Sequence, residues 1–246
     1  MTRKILSLLV CLAMLAGGGC VFAEEEAGVS VTDMTGREIA LDEPVTRIVA
    51  LTPSDCEILF AIGAGGALVG RGTYCDYPAE VLEAPVVKSG QDMNLEEIIA
   101  LQPQVVLMST MAQTVEQIAA LEDAGIRVVV SDAHDIEGVY EAITLIGALM
   151  GKNDEAAALV ADMRAAFDAI AGKAAETGAT GQTVYFEVSP LEYGLWTAGK
   201  GTFMDELATL IGLTNAFADV EGWAGISEEQ VLERDPDFIV TVTMYF

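Results

Sequence analysis

Two glutamates, Glu96 and Glu229, hold the same place in two copies of one short pattern. Residues 94–107 read NLEEIIALQPQVVL and residues 227–240 read SEEQVLERDPDFIV. Asn94 aligns with Ser227, both good N-caps, and Glu97 or Gln230 three residues on completes a capping box. Pro103 and Pro236 then end a helix of about two turns and drive the preceding residue to extended geometry. The apolar residues that follow read as a buried strand. Alone, each glutamate would do no more than complement a helix dipole, by about 0.3–1 kcal/mol. Repeated in two halves, they set two carboxylates on matching corners of a bilobed body, a geometry for pairing with cations on a two-fold partner.

A second group of residues suits ligand capture. Tyr74, Asp76 and Tyr77 lie in the loop TYCDYP, Tyr193 and Trp196 in a loop spanning 189–201, and Trp223 just ahead of the second repeat. Open parallel sheets bind ligands at the carboxyl ends of their strands. Aromatic walls there suit a large, flat, partly apolar ligand. Tyr74, Asp76, Tyr77, Trp196 and Trp223 are therefore the candidate ligand-binding set.

Other chemistry fits poorly. No GxxxxGK[ST] is present, and Gly63, Gly65, Gly66, Gly70 and Gly72 follow a helix rather than join a strand to one. The single histidine, His134, reads as a solvated loop residue, and transition-metal sites recruit several His or Cys. No GxSxG elbow exists for a Ser–His–Asp triad. No metal, cofactor or catalytic residue is expected. The alternative, an exported α/β enzyme with an aromatic cleft, would need an acid or base from Asp55, Asp76 or Glu187.

Positioning these residues requires alternating strands and helices. A hairpin is read at 29–32 and 38–41. Strands follow at 47–51, 68–71, 86–87, 105–107 and 128–131, with helices at 55–62, 111–124 and 136–150. Such alternation implies a largely parallel sheet covered on both faces. Residues 153–176 carry Leu159, Val160, Met163, Phe167, Ile170 and Ala174 at helical spacing. A helix of that length spans on the order of 36 Å and acts as a strut. The pattern then restarts with a strand at 184–188 and a helix at 203–211. The organisation is thus a segment at 1–23, an α/β lobe at 24–151, a linking helix at 152–177 and a shorter α/β lobe at 178–246.

The 246 residues carry 12 Lys+Arg against 38 Asp+Glu, which disfavours nucleic acid and anionic membranes as partners. Residues 1–23 read as an export signal, with Arg3 and Lys4 ahead of an apolar stretch too short to span a bilayer. Cleavage after Ala23 and lipidation of Cys20 are both open, and either places the protein outside the cytoplasmic membrane. Cys56 and Cys75 form either a disulfide or two buried thiols.

RIVALTPSDCEILFAIGAGGALVG (47–70), TYCDYP (73–78), MNLEEIIALQPQVV (93–106) and WAGISEEQVLERDPDFIV (223–240) together resemble the solute-binding proteins that feed ABC importers of cobalamin and iron–siderophore complexes. The resemblance covers roughly residues 30–246. It implies two α/β lobes joined by one long helix, with a corrinoid or ferric chelate between them and a monomeric carrier. It also implies that Tyr74 and Trp196 line the cleft, that Trp223 precedes the second docking helix, and that Glu96 and Glu229 meet arginines on the permease subunits. Two departures stand out. LMSTMAQ (107–113) lacks the rim aromatic of cobalamin binders, and the family continues beyond the equivalent of Val242, so the second lobe reads as truncated.

Overall fold

A computed structural model describes residues 28–241 apart from 91–92, 111–113, 178–180 and 190. The expected export signal, with Cys20, lies outside the described residues.

The chain opens with an antiparallel hairpin, β1 (Val29–Thr32) and β2 (Glu38–Leu41). A four-stranded parallel sheet follows, built from β3 (Ile48–Ala50), β4 (Leu68–Arg71), β5 (Val105–Met108) and β6 (Arg127–Val130) in the order β4-β3-β5-β6. Its central strands are continuous apolar runs because both faces are covered. Ile48, Ala50, Val105, Leu107 and Val129 face one core, shared with α1 (Pro53–Ala61) and α4 (Ile136–Leu149). Val49, Val106, Met108, Val128 and Val130 face the other, with α2 (Leu95–Ala100) and α3 (Val115–Asp123). The period of two sorts neighbouring residues of one strand into opposite cores. The expected helix start at 111–113 falls outside the described residues.

Helix α5 (Asn153–Thr177) follows, and its Leu159, Val160, Met163 and Phe167 lie against the first core. The second sheet holds β7 (Thr183–Ser189), β8 (Trp196–Ala198), β10 (Trp223–Gly225) and β11 (Phe238–Thr241) in the order β10-β8-β7-β11. A short β9 (Thr214–Asn215) also pairs with β7. β9 and β11 run parallel to β7, whereas β8 and β10 are antiparallel. Helix α6 (Phe203–Leu210) sends Phe203 and Leu207 onto the first core, and Glu206 Oε2 accepts the backbone N–H of Ile136 at 2.8 Å. Helix α7 (Glu228–Arg234) precedes β11.

Three sequence expectations need correction. Trp196 and Trp223 were expected on loops, but they begin β8 and β10, where backbone pairing of a short reversed strand overrides the Gly-rich surroundings. Gln102 and Asp235, ahead of the two prolines, are not extended: their φ angles are 50° and 43°. Each helix ends through a left-handed residue, which turns the chain sharply enough for the following strand to enter its sheet. Finally, β11 is exposed along its length, with Ile239 at 60%, whereas its repeat partner β5 is fully buried. β5 lies between two strands, while β11 has only β7 beside it among the described residues.

Asp33 ties the hairpin to the sheet. It is 3% exposed, and its carboxylate accepts from the backbone N–H groups of Thr35, Arg37 and Val130, from the Thr35 hydroxyl, and from the Arg37 guanidinium at 2.8 Å. Burial works to raise its pKa, but these donors outweigh burial and hold the carboxyl below its ordinary range. A depressed folded pKa contributes stability above the ordinary carboxylate value, and that stability is lost as pH falls through the folded value. Asp33→Asn is expected to cost on the order of 1–3 kcal/mol at neutral pH in urea unfolding. The gap between variant and wild type should close as the pH is lowered through the carboxylate range.

Candidate functional site

The strand order β4-β3-β5-β6 reverses direction between β3 and β5, the place where open α/β sheets leave a crevice at their carboxyl edge. The chain enters that edge four times, after β3 at Thr52, after β4 at Gly72, after β5 at Ser109 and after β6 at Ser131. Gly72 is required: a Cβ there would stand 2.2 Å from the Leu51 carbonyl oxygen, and its N–H donates to Ala50 O at 2.8 Å. Arg71 holds the next loop, donating from Nη1 to Cys75 O at 2.7 Å and from Nε to Ala84 O at 3.2 Å. Along TYCDYP only Cys75 is turned fully inward. Tyr74, Asp76 and Tyr77 project into solvent, with Tyr74 79% exposed, and Cys75 is completely buried. Cys56 and Cys75 are both buried and carry free thiols in this structure.

Beneath these loops lies Asp55, in the first turn of α1 and wholly inaccessible. Thr52 Oγ1 donates to its Oδ2, while its Oδ1 has no hydrogen-bond partner. Burial pushes the carboxyl up to about 6; the hydroxyls of Thr52 and Ser131 oppose that rise and the charge of Asp132 adds to it. Asp132 in turn accepts from the Thr110 backbone N–H and hydroxyl, and His134, on an exposed loop, stands 3.9 Å from it. Sequence reasoning had named Asp55 only as an acid for catalysis and had missed Thr110 and Asp132. Their positions directly after β5 and β6 were the available signal. The other two acids considered for catalysis are differently placed: Asp76 is exposed, and Glu187 lies on β7 in the second sheet.

The second sheet presents the tryptophans. Trp196 is directly opposite Gly225, and Trp223 opposite Ala198, in the β8–β10 pairing. Opposed residues share a face, so the two indoles occupy diagonal positions on one side of the ribbon. Trp196 is 45% and Trp223 55% exposed. The Trp196 ring lies over Gly225, 3.8 Å from where a Cβ would be, an ordinary contact distance. Asn215 braces this ribbon from behind: its Nδ2 donates to Ala198 O at 2.8 Å and to Asp205 Oδ1 at 3.1 Å.

The two docking candidates are both exposed, each in the first turn of its helix. Asn94 Oδ1 accepts from the N–H groups of Glu96 and Glu97. Ser227 and Gln230 form a reciprocal capping box. Donation from its own backbone N–H and from Ser227 holds the Glu229 carboxyl below its usual range, which keeps it ionised. A cavity of about 530 Å³ between β1, α4 and α5 is lined by none of the sequence-predicted site residues.

Asp55 gives a pH signature opposite in sign to that of Asp33. A raised folded pKa contributes stability below the ordinary value of 3.8, which is lost as pH rises through about 6. Unfolding of wild type and Asp55→Asn should be compared across that window. The variant is expected to gain on wild type by on the order of 3 kcal/mol as pH rises from about 3.5 to about 7.5.

Comparison with known proteins places this geometry. The profile of the periplasmic binding protein family matches residues 48–245. An uncharacterized ABC transporter substrate-binding lipoprotein, YvrC of Bacillus subtilis strain 168, is 34% identical over 96% of this chain and 78% of its own length. The vitamin B12-binding protein of Salmonella choleraesuis strain SC-B67 is 34% identical over 79% of this chain and 71% of its own. A solved structure from Staphylococcus epidermidis ATCC 12228, named as a possible iron-binding (periplasmic solute-binding) protein, superimposes with a TM-score of 0.73 at 30% identity, covering 82% of this chain and 79% of that one. The two-lobed α/β architecture, the paired helix–strand units and these likenesses agree: the chain belongs to the periplasmic binding protein family.

Proposed function

We propose that the protein captures a corrinoid or a ferric chelate outside the cytoplasmic membrane and delivers it to an ABC permease. The observation that carries this reading is the set of exposed aromatics on the two sheets. Trp196 and Trp223 share one face of the β8–β10 ribbon, and Tyr74 and Tyr77 stand at the carboxyl edge of the first sheet. Large rings held in solvent by rigid elements are surface waiting for a flat, partly apolar ligand. Asp76, between the two tyrosines, adds a polar contact for an amide or hydroxyl rim. Vitamin B12 and iron are the ligands in the names of the relatives, and both chelate classes meet that description. Capture rather than catalysis is the activity of this family, and the protein acts as a monomeric carrier.

Glu96 and Glu229 serve delivery in this reading. Their carboxylates, exposed at the starts of α2 and α7, offer one anion from each half to basic side chains on a two-fold membrane partner. Pairing of exposed charges sets orientation and association rate more than affinity, and it weakens with salt.

Binding is tested by titrating the purified protein with cobalamin, haem and ferric chelates while following tryptophan fluorescence and ligand absorbance. A saturable shift with a corrinoid or a ferric chelate is expected. Trp196→Ala and Trp223→Ala are each expected to weaken it by roughly tenfold or more. Failure of every chelate to bind would overturn the ligand assignment. The double variant Glu96→Ala with Glu229→Ala should retain ligand affinity and lose association with the permease in liposomes. Lost affinity with unchanged docking would refute the delivery role.

A further inference from the structure

Cys56 and Cys75 take no part in the capture described above, yet the fold brings them together across the floor of the first sheet's carboxyl edge. Both side chains are 0% exposed. Cys56 lies in the first turn of α1 and Cys75 in the middle of TYCDYP, and both Sγ atoms are 3.9 Å from one acceptor, the carbonyl oxygen of Ala50. The backbone holds them there. Cys56 N–H donates to Thr52 O, Cys75 N–H to Gly72 O, and Gly72 N–H to Ala50 O. Neither cysteine can drift without pulling on the end of β3. Sharing one acceptor puts the two thiols within reach of each other, and their coupling shifts them apart: Cys75 is lowered, chiefly by hydrogen bonding with Cys56, and Cys56 is raised, chiefly by the same coupling and then by burial. A lowered thiol is the better nucleophile of a pair.

We propose that Cys56 and Cys75 are a disulfide-forming pair that fastens the aromatic-bearing loop 73–78 to the first turn of α1. The oxidant is a second disulfide, protein-borne or small. One cysteine thiolate attacks it, forming a mixed disulfide and releasing one thiolate, which takes up the proton the cysteine lost. The other cysteine thiolate then attacks the cysteine sulfur of the mixed disulfide. The Cys56–Cys75 bond forms, the mixed bond breaks, and the second oxidant thiolate leaves and is protonated in turn. The cysteines lose two electrons and the oxidant gains two. Complete burial of both sulfurs places this exchange during folding, before α1 and the loop close over them. The proposal rests on the geometry of the first sheet and is independent of which ligand is captured.

The test refolds the full-length chain from denaturant in a mixture of reduced and oxidised glutathione, and in parallel with a phosphine reductant. After alkylation and digestion, mass spectrometry should find a peptide linking Cys56 to Cys75 in the first sample and both residues alkylated in the second. Closing a loop of this length should raise the unfolding midpoint by about 5–10 °C. Alkylation of both cysteines after oxidative refolding, glutathione left on either, or a linked form that melts no higher than the reduced one would overturn the proposal. The double variant Cys56→Ala with Cys75→Ala should melt alike in both buffers. A redox-dependent midpoint surviving in it would also count against the pair, and the peptide measurement on wild type stands even if the variant does not fold.

Discussion

Phe203 and Leu207, reaching from α6 onto the core of the first sheet, fix how the two halves meet. Fully burying a large apolar side chain is worth about 1.5–3 kcal/mol, and these two, half-buried, contribute a part of that each. Glu206 adds direction, because its carboxylate accepts the Ile136 N–H at the start of α4, where the helix dipole favours a negative charge. Helix α5, 25 residues long, closes the same joint from the other side through its own apolar stripe on that core. A hinge of loose loops would let the sheets wander. Here the second sheet's tryptophan ribbon is referred, through α6 and α5, to the same core that carries the tyrosine loop.

Two buried carboxylates show how strongly surroundings decide a charge. Asp33 and Asp55 are both hidden from solvent, and burial raises the pKa of each. Asp33 is encircled by backbone and side-chain donors, including a guanidinium, and ends below its ordinary value. Asp55 has only the hydroxyls of Thr52 and Ser131 to set against burial, with no hydrogen-bond partner on Oδ1, and ends above. The first is a structural knot. The second is a strained charge held directly under the candidate ligand loops, where its cost is borne by the fold.

Much of this was legible in the sequence. The hairpin, the 68–71 strand and the start of the long helix were read where the structure has them, because alternation, turn residues and helical spacing are local signals. The doubled helix–strand unit was legible through its caps and prolines. Long-range partners were not. Nothing near Phe238 says that only one strand among the described residues will lie beside it, and nothing near Trp196 or Trp223 says that the short strands they begin will pair. The left-handed residues ahead of Pro103 and Pro236 were misread because the usual preference for extended geometry before proline gives way where a helix must end in a tight turn. Asp132 was overlooked for a similar reason, since its importance comes from a distant neighbour in the sequence, Asp55.

Gly72 carries a mechanical implication. With the Leu51 oxygen occupying the place of a side chain, the segments leaving β3 and β4 are in backbone contact, and a hydrogen bond from Gly72 to Ala50 locks the join. The start of α1 and the tyrosine loop are thus ganged: a shift in one must be transmitted to the other. The start of α1 and the tyrosine loop therefore form a single stiff plate, and under the proposed function adaptation to ligands of different outline falls to rotation of the Tyr74 and Tyr77 rings and to the two indoles.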